Sequence, residues 1–234
     1  TDLGLGGKTY IKQIRTADNG EFQLLAGSTV EKSPDETYED FYFIITDDKF
    51  NIKKKICLGS QVYSYEFIAD NDGRLLLYDS LTHDMVFSDA AFGGDEKMKT
   101  AGNFPQAYFF KSGSECFCLA PSSETGITVV YKIDFENKML TKSDTLDFVV
   151  KEAEDGDESY DAYFILKNGV KGYKLSDKSC EDIVDWIDSG ITSNVNDVAV
   201  INKDTLLVRY SGVKDTVYRS GTSLYRRAGN RPVY

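Results

Sequence analysis

Five times along the chain a short run of β-forming residues meets a tight polar turn and then a second such run. The pairs are TYIKQIR and EFQLLAG around TADNG, VYSYEFI and RLLLYD around ADNDG, and QAYFFK and ECFCLA around SGS. YDAYFIL and VKGYKL around KNG, and NDVAVI and TLLVRY around NKD, complete the series. Asn-Gly and Asp-Gly supply the positive φ that hairpin turns require, and the aromatic and β-branched content of the runs suits a pleated, half-buried surface. Each pair therefore reads as a β-hairpin. A chain built from hairpins at this spacing can only be all-β.

Further runs follow most hairpins. After EFQLLAG comes a stretch read as a polar loop, STVEKSPDETYE, then DFYFIIT, the turn DDKFN and IKKKICL. After ECFCLA come PSSETG, ITVVYKID, the turn FEN and KMLTKSD. HDMVFSD and TSLYRR supply further strands to the second and fifth units, and SCEDIVDWI reads as an outer strand rather than a helical turn. Four strands per unit at a period of roughly 35 to 55 residues is the pattern of a β-propeller, whose blades stack radially to bury their faces. The reading is a single β-propeller domain over residues 1–234, with about five blades of mostly four antiparallel strands. A β-sandwich is the alternative, but so many strands exceed one ordinary sandwich.

Charge and hydropathy narrow the partners. Lys plus Arg number 27 against 38 Asp plus Glu, a formal charge of -11, which repels phosphate backbones and argues against nucleic acid. No apolar run reaches the length of about 20 residues that spans a bilayer as a helix, so no transmembrane span is expected. The chain starts at Thr1 without an apolar leader, which reads as a trimmed secreted protein or a domain excised from a longer chain. The four cysteines, Cys57, Cys116, Cys118 and Cys180, form no CxxC. Cys116 and Cys118 share one strand face, and buried free thiols are the preferred reading. A Cys57–Cys180 disulfide stays open, because spacing does not fix connectivity. With His83 as the one histidine, no zinc set is expected, and no cofactor or metal is assigned.

Chemistry is sparse. The acids Asp18, Asp47, Asp48, Asp70, Asp72, Asp155, Asp157 and Asp204 fall in turn segments, where turn formation and solubility explain them. TADNGEF and ADNDGRL approach an Asp-box and a calcium loop but lack the required aromatic and the closing bidentate Glu, so both read as hairpin turns. There is no Gly-x-Ser-x-Gly elbow, and GLGG lacks the flanking strand and helix of a phosphate loop. Lys53-Lys54-Lys55 reads as a solvated outer edge, and LYRRAGNRP as a linker exit. Tyr63 and Tyr65 share one face of a strand; core packing is the preferred reading, and they are the candidate binding residues if that strand is innermost and they face a central channel. Trp186, ringed by Glu181, Asp182, Asp185 and Asp188, reads as a packed anchor rather than a ligand platform.

A resemblance supplies context. From Asp161 to Tyr225 the order of phrases, above all Val184-Asp185-Trp186-Ile187-Asp188-Ser189-Gly190-Ile191, resembles the propeller region ahead of the solute-binding domain in ABC-transporter lipoproteins of gut Firmicutes. GKTYIKQIRTADNGEFQLLAG looks like a first blade of the same kind. Gly190 stands where that family usually has an acid. The resemblance implies an extracellular, lipid-anchored protein with a C-terminal solute-binding partner domain, and it carries no functional residues across. The expected function is a non-catalytic extracellular binding or interaction module taking a glycan, peptide or protein ligand. The alternative is a small five-bladed glycoside hydrolase using paired carboxylates.

Overall fold

The computed structural model describes residues 3–5, 7–17, 19–33, 36–60, 65–88, 99–185, 194–202, 205–214, 217–228 and 231–233. Among them are five antiparallel sheets of four strands, each running in simple up-and-down order, and no helix. The first holds β1 (Lys8–Thr16), β2 (Phe22–Ser33), β3 (Glu36–Thr46) and β4 (Ile52–Ser60). The second holds β5 (Tyr65–Ala69), β6 (Leu75–Asp79), β7 (Asp84–Ser88) and β8 (Lys99–Asn103). β9 (Tyr108–Ser112), β10 (Glu115–Ser122), β11 (Ile127–Asp134) and β12 (Met139–Leu146) make the third. β13 (Glu152–Asp155), β14 (Ala162–Ile165), β15 (Gly169–Lys174) and β16 (Ser179–Asp185) make the fourth. β17 (Asn194–Asn202), β18 (Thr205–Lys214), β19 (Val217–Ala228) and β20 (Arg231–Val233) make the fifth.

The chain divides into two compact units. One comprises Thr1–Ala107, Gly113–Cys116 and Ile133–Thr141, and the other Tyr108–Ser112, Phe117–Lys132 and Lys142–Tyr234. In the first unit the sheet β1–β4 is covered on both faces, so the consecutive residues Leu24, Leu25 and Ala26 of β2 are all buried. Leu25, Phe43, Ile45 and Ile56 pack against Phe67, Ala69, Leu75 and Leu77 of the sheet β5–β8. On the opposite face Leu24, Ala26 and Ile44 lie under Leu3 and Leu5 of the N-terminal segment. In the second unit Phe110, Phe117, Leu119 and Val130 pack on Ala162, Phe164, Leu166 and Tyr173. Phe110 stacks on Phe117 at 4.9 Å and meets Phe164 edge-on at 5.7 Å, geometries that aromatic quadrupoles favour.

Burial follows strand position. The second strands are almost wholly buried, Leu75–Tyr78 of β6 and Cys116–Leu119 of β10 among them, whereas β1, β4 and β12 are mostly exposed. Among the described cysteines all four are free: Cys116 and Cys118 are buried as expected, and Cys57 is exposed. Cys116 and Cys118 lie on the face of β10 opposite Phe117 and Leu119.

The hairpin turns have a common design. At residues 17–21, 47–51 and 70–74 the first residue's N–H bonds the fifth residue's carbonyl at 2.8 Å, 3.0 Å and 3.1 Å, and the fourth residue's N–H returns to the first. The fourth residue is left-handed each time: Gly20, Phe50 and Gly73 have φ of 78°, 62° and 78°. This is the three-residue loop in which a left-handed residue closes a bulge. The Asp-box and calcium look-alikes are thus hairpin turns.

Other expectations are corrected. STVEKSPDETYE is no loop: β2 and β3 stay paired through Thr29↔Glu39, Val30↔Tyr38 and Ser33↔Glu36, since Thr, Val and Tyr alternate well enough to extend the ladder. Asp155 lies in β13, not a turn, and pairs with Ala162. That short charged strand escapes an apolar-pattern reading, as does β8, KTAGN. The hairpin β14–β15 is therefore the middle of its sheet rather than the start. Gly169 of KNG has no positive φ and opens β15. A Cβ there would meet the Val184 carbonyl oxygen at 2.1 Å, so close backbone approach, not turn conformation, requires the glycine. Arg226, Arg227 and Arg231 are not a linker exit, because β19 and β20 pair through Arg227↔Pro232 and Ala228↔Arg231.

Candidate functional site

The titratable groups most disturbed by their surroundings on a first strand lie in the first unit, where β1 meets β5. Gln13 joins the two strands, its Oε1 accepting the Phe67 N–H at 3.2 Å. Lys12 and Arg15 flank Gln13 on β1, and Glu66 precedes Phe67 on β5, paired with Tyr78. Burial pushes the Glu66 carboxyl above its ordinary value, with Arg15 and then Lys12 pulling it back. Burial likewise lowers Lys12, against Glu66 and Asp79. Lys12 is exposed by area, so the crowding acts near its ammonium rather than along the whole side chain. Both shifts point toward neutrality: low dielectric outweighs opposite charge. Asp79 is held by Leu81 N–H at 2.9 Å and the Thr82 hydroxyl at 3.1 Å.

Tyr63 lies outside the described residues. Tyr65 opens β5 opposite Asp79, and its side chain lies outside what is described. The structure thus adds Glu66, Lys12 and Arg15 to the candidate residues. The signal for them was legible, since Glu66 interrupts an otherwise aromatic and apolar run, YSYEFI. Lys111 is a comparable case in the second unit. It ends YFFK on β9 and is buried, and its ammonium has no hydrogen-bond partner among the described residues.

The second unit holds a polar cluster on the loop from β13 to β14. Asp157 accepts the Ser159 N–H at 2.7 Å and the Tyr163 hydroxyl at 2.7 Å. Asp161 accepts Leu175 N–H at 2.8 Å and bonds the Ser112 hydroxyl. The Tyr160 hydroxyl donates to Glu181 at 2.5 Å, and Lys174 sits 5.4 Å over its ring. A Cβ at Gly172 would meet that ring at 2.5 Å, so the tyrosine lies flat on β15. Tyr173 donates to Asp144 at 2.8 Å, and burial, then Asp144, push its phenol far up. Asp155 accepts Lys111 N–H at 2.7 Å.

The acids near Trp186 are accordingly employed: Glu181 by Tyr160, and Asp182 by Lys171 at 2.5 Å. Trp186, Asp188 and Gly190 lie outside the described residues. β16 is the outer strand expected there, with a bulge at Val170/Lys171 that lets Ile183 and Val184 both be buried. Among the described residues, no group of three or more His, Cys, Asp or Glu is placed to hold a metal, and no helix is long and apolar enough to cross a membrane.

No family model matches the chain, and no curated protein matches it. Among solved structures it is similar to the hydrazine synthase of Kuenenia stuttgartiensis. The TM-score is 0.53 at 12% identity, over 97% of this chain and 67% of that one. It also aligns with the tricorn protease at a TM-score of 0.49 and 9% identity, over 95% of this chain and 25% of that one. At such identity the first likeness speaks to the fold alone. What these observations establish is an all-β chain of repeated four-stranded antiparallel sheets.

Proposed function

We propose that the five sheets close radially into a five-bladed β-propeller serving as a non-catalytic extracellular binding module. In this reading it is accessory to capture of a sugar or peptide solute and is anchored at the cell surface as a lipoprotein beside a solute-binding domain. The gradient of burial across the first four sheets supports the blade reading, because radial stacking covers middle strands on both faces. First strands would then line the channel, and they carry Lys12, Gln13 and Arg15 on β1, Glu66 on β5, Lys111 on β9 and Glu152, Glu154 and Asp155 on β13. Tyr63 and Tyr65 adjoin Glu66 and would offer ring faces to a sugar or peptide.

One observation carries the binding reading over hydrolysis. The carboxylates Asp47, Asp70, Asp134, Asp157, Asp161 and Asp177 all accept hydrogen bonds from their own turns or from neighbouring strands. Groups so employed hold backbone in place. A glycan array with a thermal-shift screen of sugars and peptides tests the proposal. A ligand should raise Tm in the parent protein and lose at least tenfold affinity in Tyr65→Ala, equivalent to about 1.4 kcal/mol. Turnover of a chromogenic glycoside, with no ligand-induced shift, would overturn it.

The second reading, a glycoside hydrolase, is favoured by one feature: a carboxyl raised by burial is how a general acid is kept protonated near neutral pH. Glu66, whose carboxyl burial raises above its ordinary value, is the candidate acid of this reading. Hydrolysis abolished by Glu66→Gln, with folding retained, would establish this reading, and an inactive parent protein would refute it.

A further inference from the structure

Tyr10 on β1 is left 41% exposed, although its ring is firmly held. It pairs with Gly27 of β2, and a Cβ at Gly27 would fall 2.5–2.8 Å from three atoms of the tyrosine, its hydroxyl oxygen included. The ring therefore lies against the backbone of β2, and it meets Phe41 of β3 edge-on at 6.4 Å. Its hydroxyl donates to Glu39 Oε2 at 3.0 Å, and the Thr29 hydroxyl donates to Glu39 Oε1 at 3.5 Å. A ring fixed in this way shows one π face to solvent and has little rotamer freedom left to lose when a ligand stacks on it.

The fourth sheet has the same device in a closed form. There the Tyr160 ring lies on Gly172 and donates to Glu181, but it is only 7% exposed and Lys174 sits over it at 5.4 Å. On the first sheet the corresponding ring is open. Lys8, Thr29 and Glu39 pair in one row, and Tyr10, Gly27 and Phe41 in the row two residues along, so all six positions share a face. An ammonium, a hydroxyl and a carboxylate thus edge the ring, and the two charges offset each other. The hydrogen bonds to Glu39 use about two of its four lone-pair sites. The matching ligand is uncharged, has a flat C–H face for the ring, and both donates and accepts hydrogen bonds at its edge. A sugar ring with equatorial hydroxyls has that form.

We infer that Tyr10, Glu39 and Lys8 form a site for a neutral pyranose unit, which stacks on the Tyr10 ring with its hydroxyls on Glu39 and Lys8. The site is distinct from Tyr63 and Tyr65 and lies wholly on the first sheet. It rests on the binding-module reading for its context and is independent of ring closure.

The probe is cellotetraose, whose rings carry equatorial substituents, titrated by calorimetry against the full chain. Sorbitol, a polyol without a flat face, and tetramethylammonium, a cation, are the controls. Cellotetraose alone should bind, with new hydrogen-exchange protection at residues 8–10, 27–29 and 39–41. Tyr10→Leu should weaken binding about tenfold or more at unchanged Tm, while Tyr10→Phe, which keeps the ring, should stay within about threefold. Should Tyr10→Leu fail to fold, Lys8→Ala with Glu39→Gln strips the polar edge instead and should cost about tenfold. Absence of cellotetraose binding, or binding undiminished by these variants, overturns the site. Binding of tetramethylammonium in place of the sugar overturns the ligand class. Affinity lost in Tyr65→Ala but kept in Tyr10→Leu overturns the site as well, while the binding-module reading stands.

Discussion

At the scale of single residues, left-handed backbone and desolvated charge make the sharpest expectations. Lys138 ends the turn between β11 and β12 with φ of 53°, and Asp134 caps that turn through Asn137 N–H at 2.8 Å. A Cβ in this region costs about 1 kcal/mol, so Lys138→Gly should be neutral to stabilising by up to about 1 kcal/mol. Chemical denaturation measures it, and a loss above 1 kcal/mol would show that the lysine side chain matters more than its φ. Glu66 makes a pH-dependent case. Its folded pKa is raised, so its carboxyl weighs nothing against the fold below the unfolded value of about 4.3. Stability is then lost as pH rises through the raised value. Glu66→Gln should therefore melt at or above the parent temperature near neutral pH, with the difference vanishing toward pH 4. A variant less stable at neutral pH would mean that Lys12 and Arg15 need the carboxylate. His83 also has a left-handed φ, 64°, whereas in the sequence it counted only as the single histidine, too few for a zinc set.

At the scale of elements, connectors are held by a few buried hydrogen bonds. Thr128 on β11 is fully buried; its hydroxyl donates to the Phe148 carbonyl at 2.8 Å and accepts Val150 N–H at 3.0 Å. Thr128→Val keeps the shape and orphans both backbone groups, so it should cost about 2–4 kcal/mol by urea titration. A loss under 1 kcal/mol would show that water replaces the hydroxyl. Gly172→Ala should displace the Tyr160 ring and cost about 1–3 kcal/mol, whereas Gly172→Ala combined with Tyr160→Ala should cost less than the sum of the two single changes. Elements whose pattern is apolar were legible in advance: β11, ITVVYKID, has the expected bounds. Short polar strands such as β13, EAED, and β8, KTAGN, have no hydrophobic signature. They exist because neighbouring strands offer an unpaired edge.

At the scale of the whole molecule, burial orders the strands by position in their sheets. Amide exchange should be slowest in β2, β6, β10, β14 and β15 and fastest in β4 and β12, since local opening tracks buried apolar contact. Hydrogen exchange read by mass spectrometry checks this, and equal protection in the fourth strands would contradict it. Charge is unevenly spread at the same scale: acids outnumber bases, 38 to 27, while β1, β4, β18 and β19 carry basic residues and no acidic one.

The sequence by itself determined the all-β class, the four-strand repeat and the hairpin turns, because those rest on local physics: alternation, β-propensity and the need for positive φ at Gly20 and Gly73. Tertiary structure decided what depends on partners far along the chain. It decided that Ser28–Glu39 continues a ladder, that Gly169 yields to a neighbouring carbonyl, and that Glu181 braces Tyr160. It also brought Glu66 on β5 within electrostatic reach of Arg15 and Lys12 on β1, since burial and opposing charge of this kind arise only when separate strands meet.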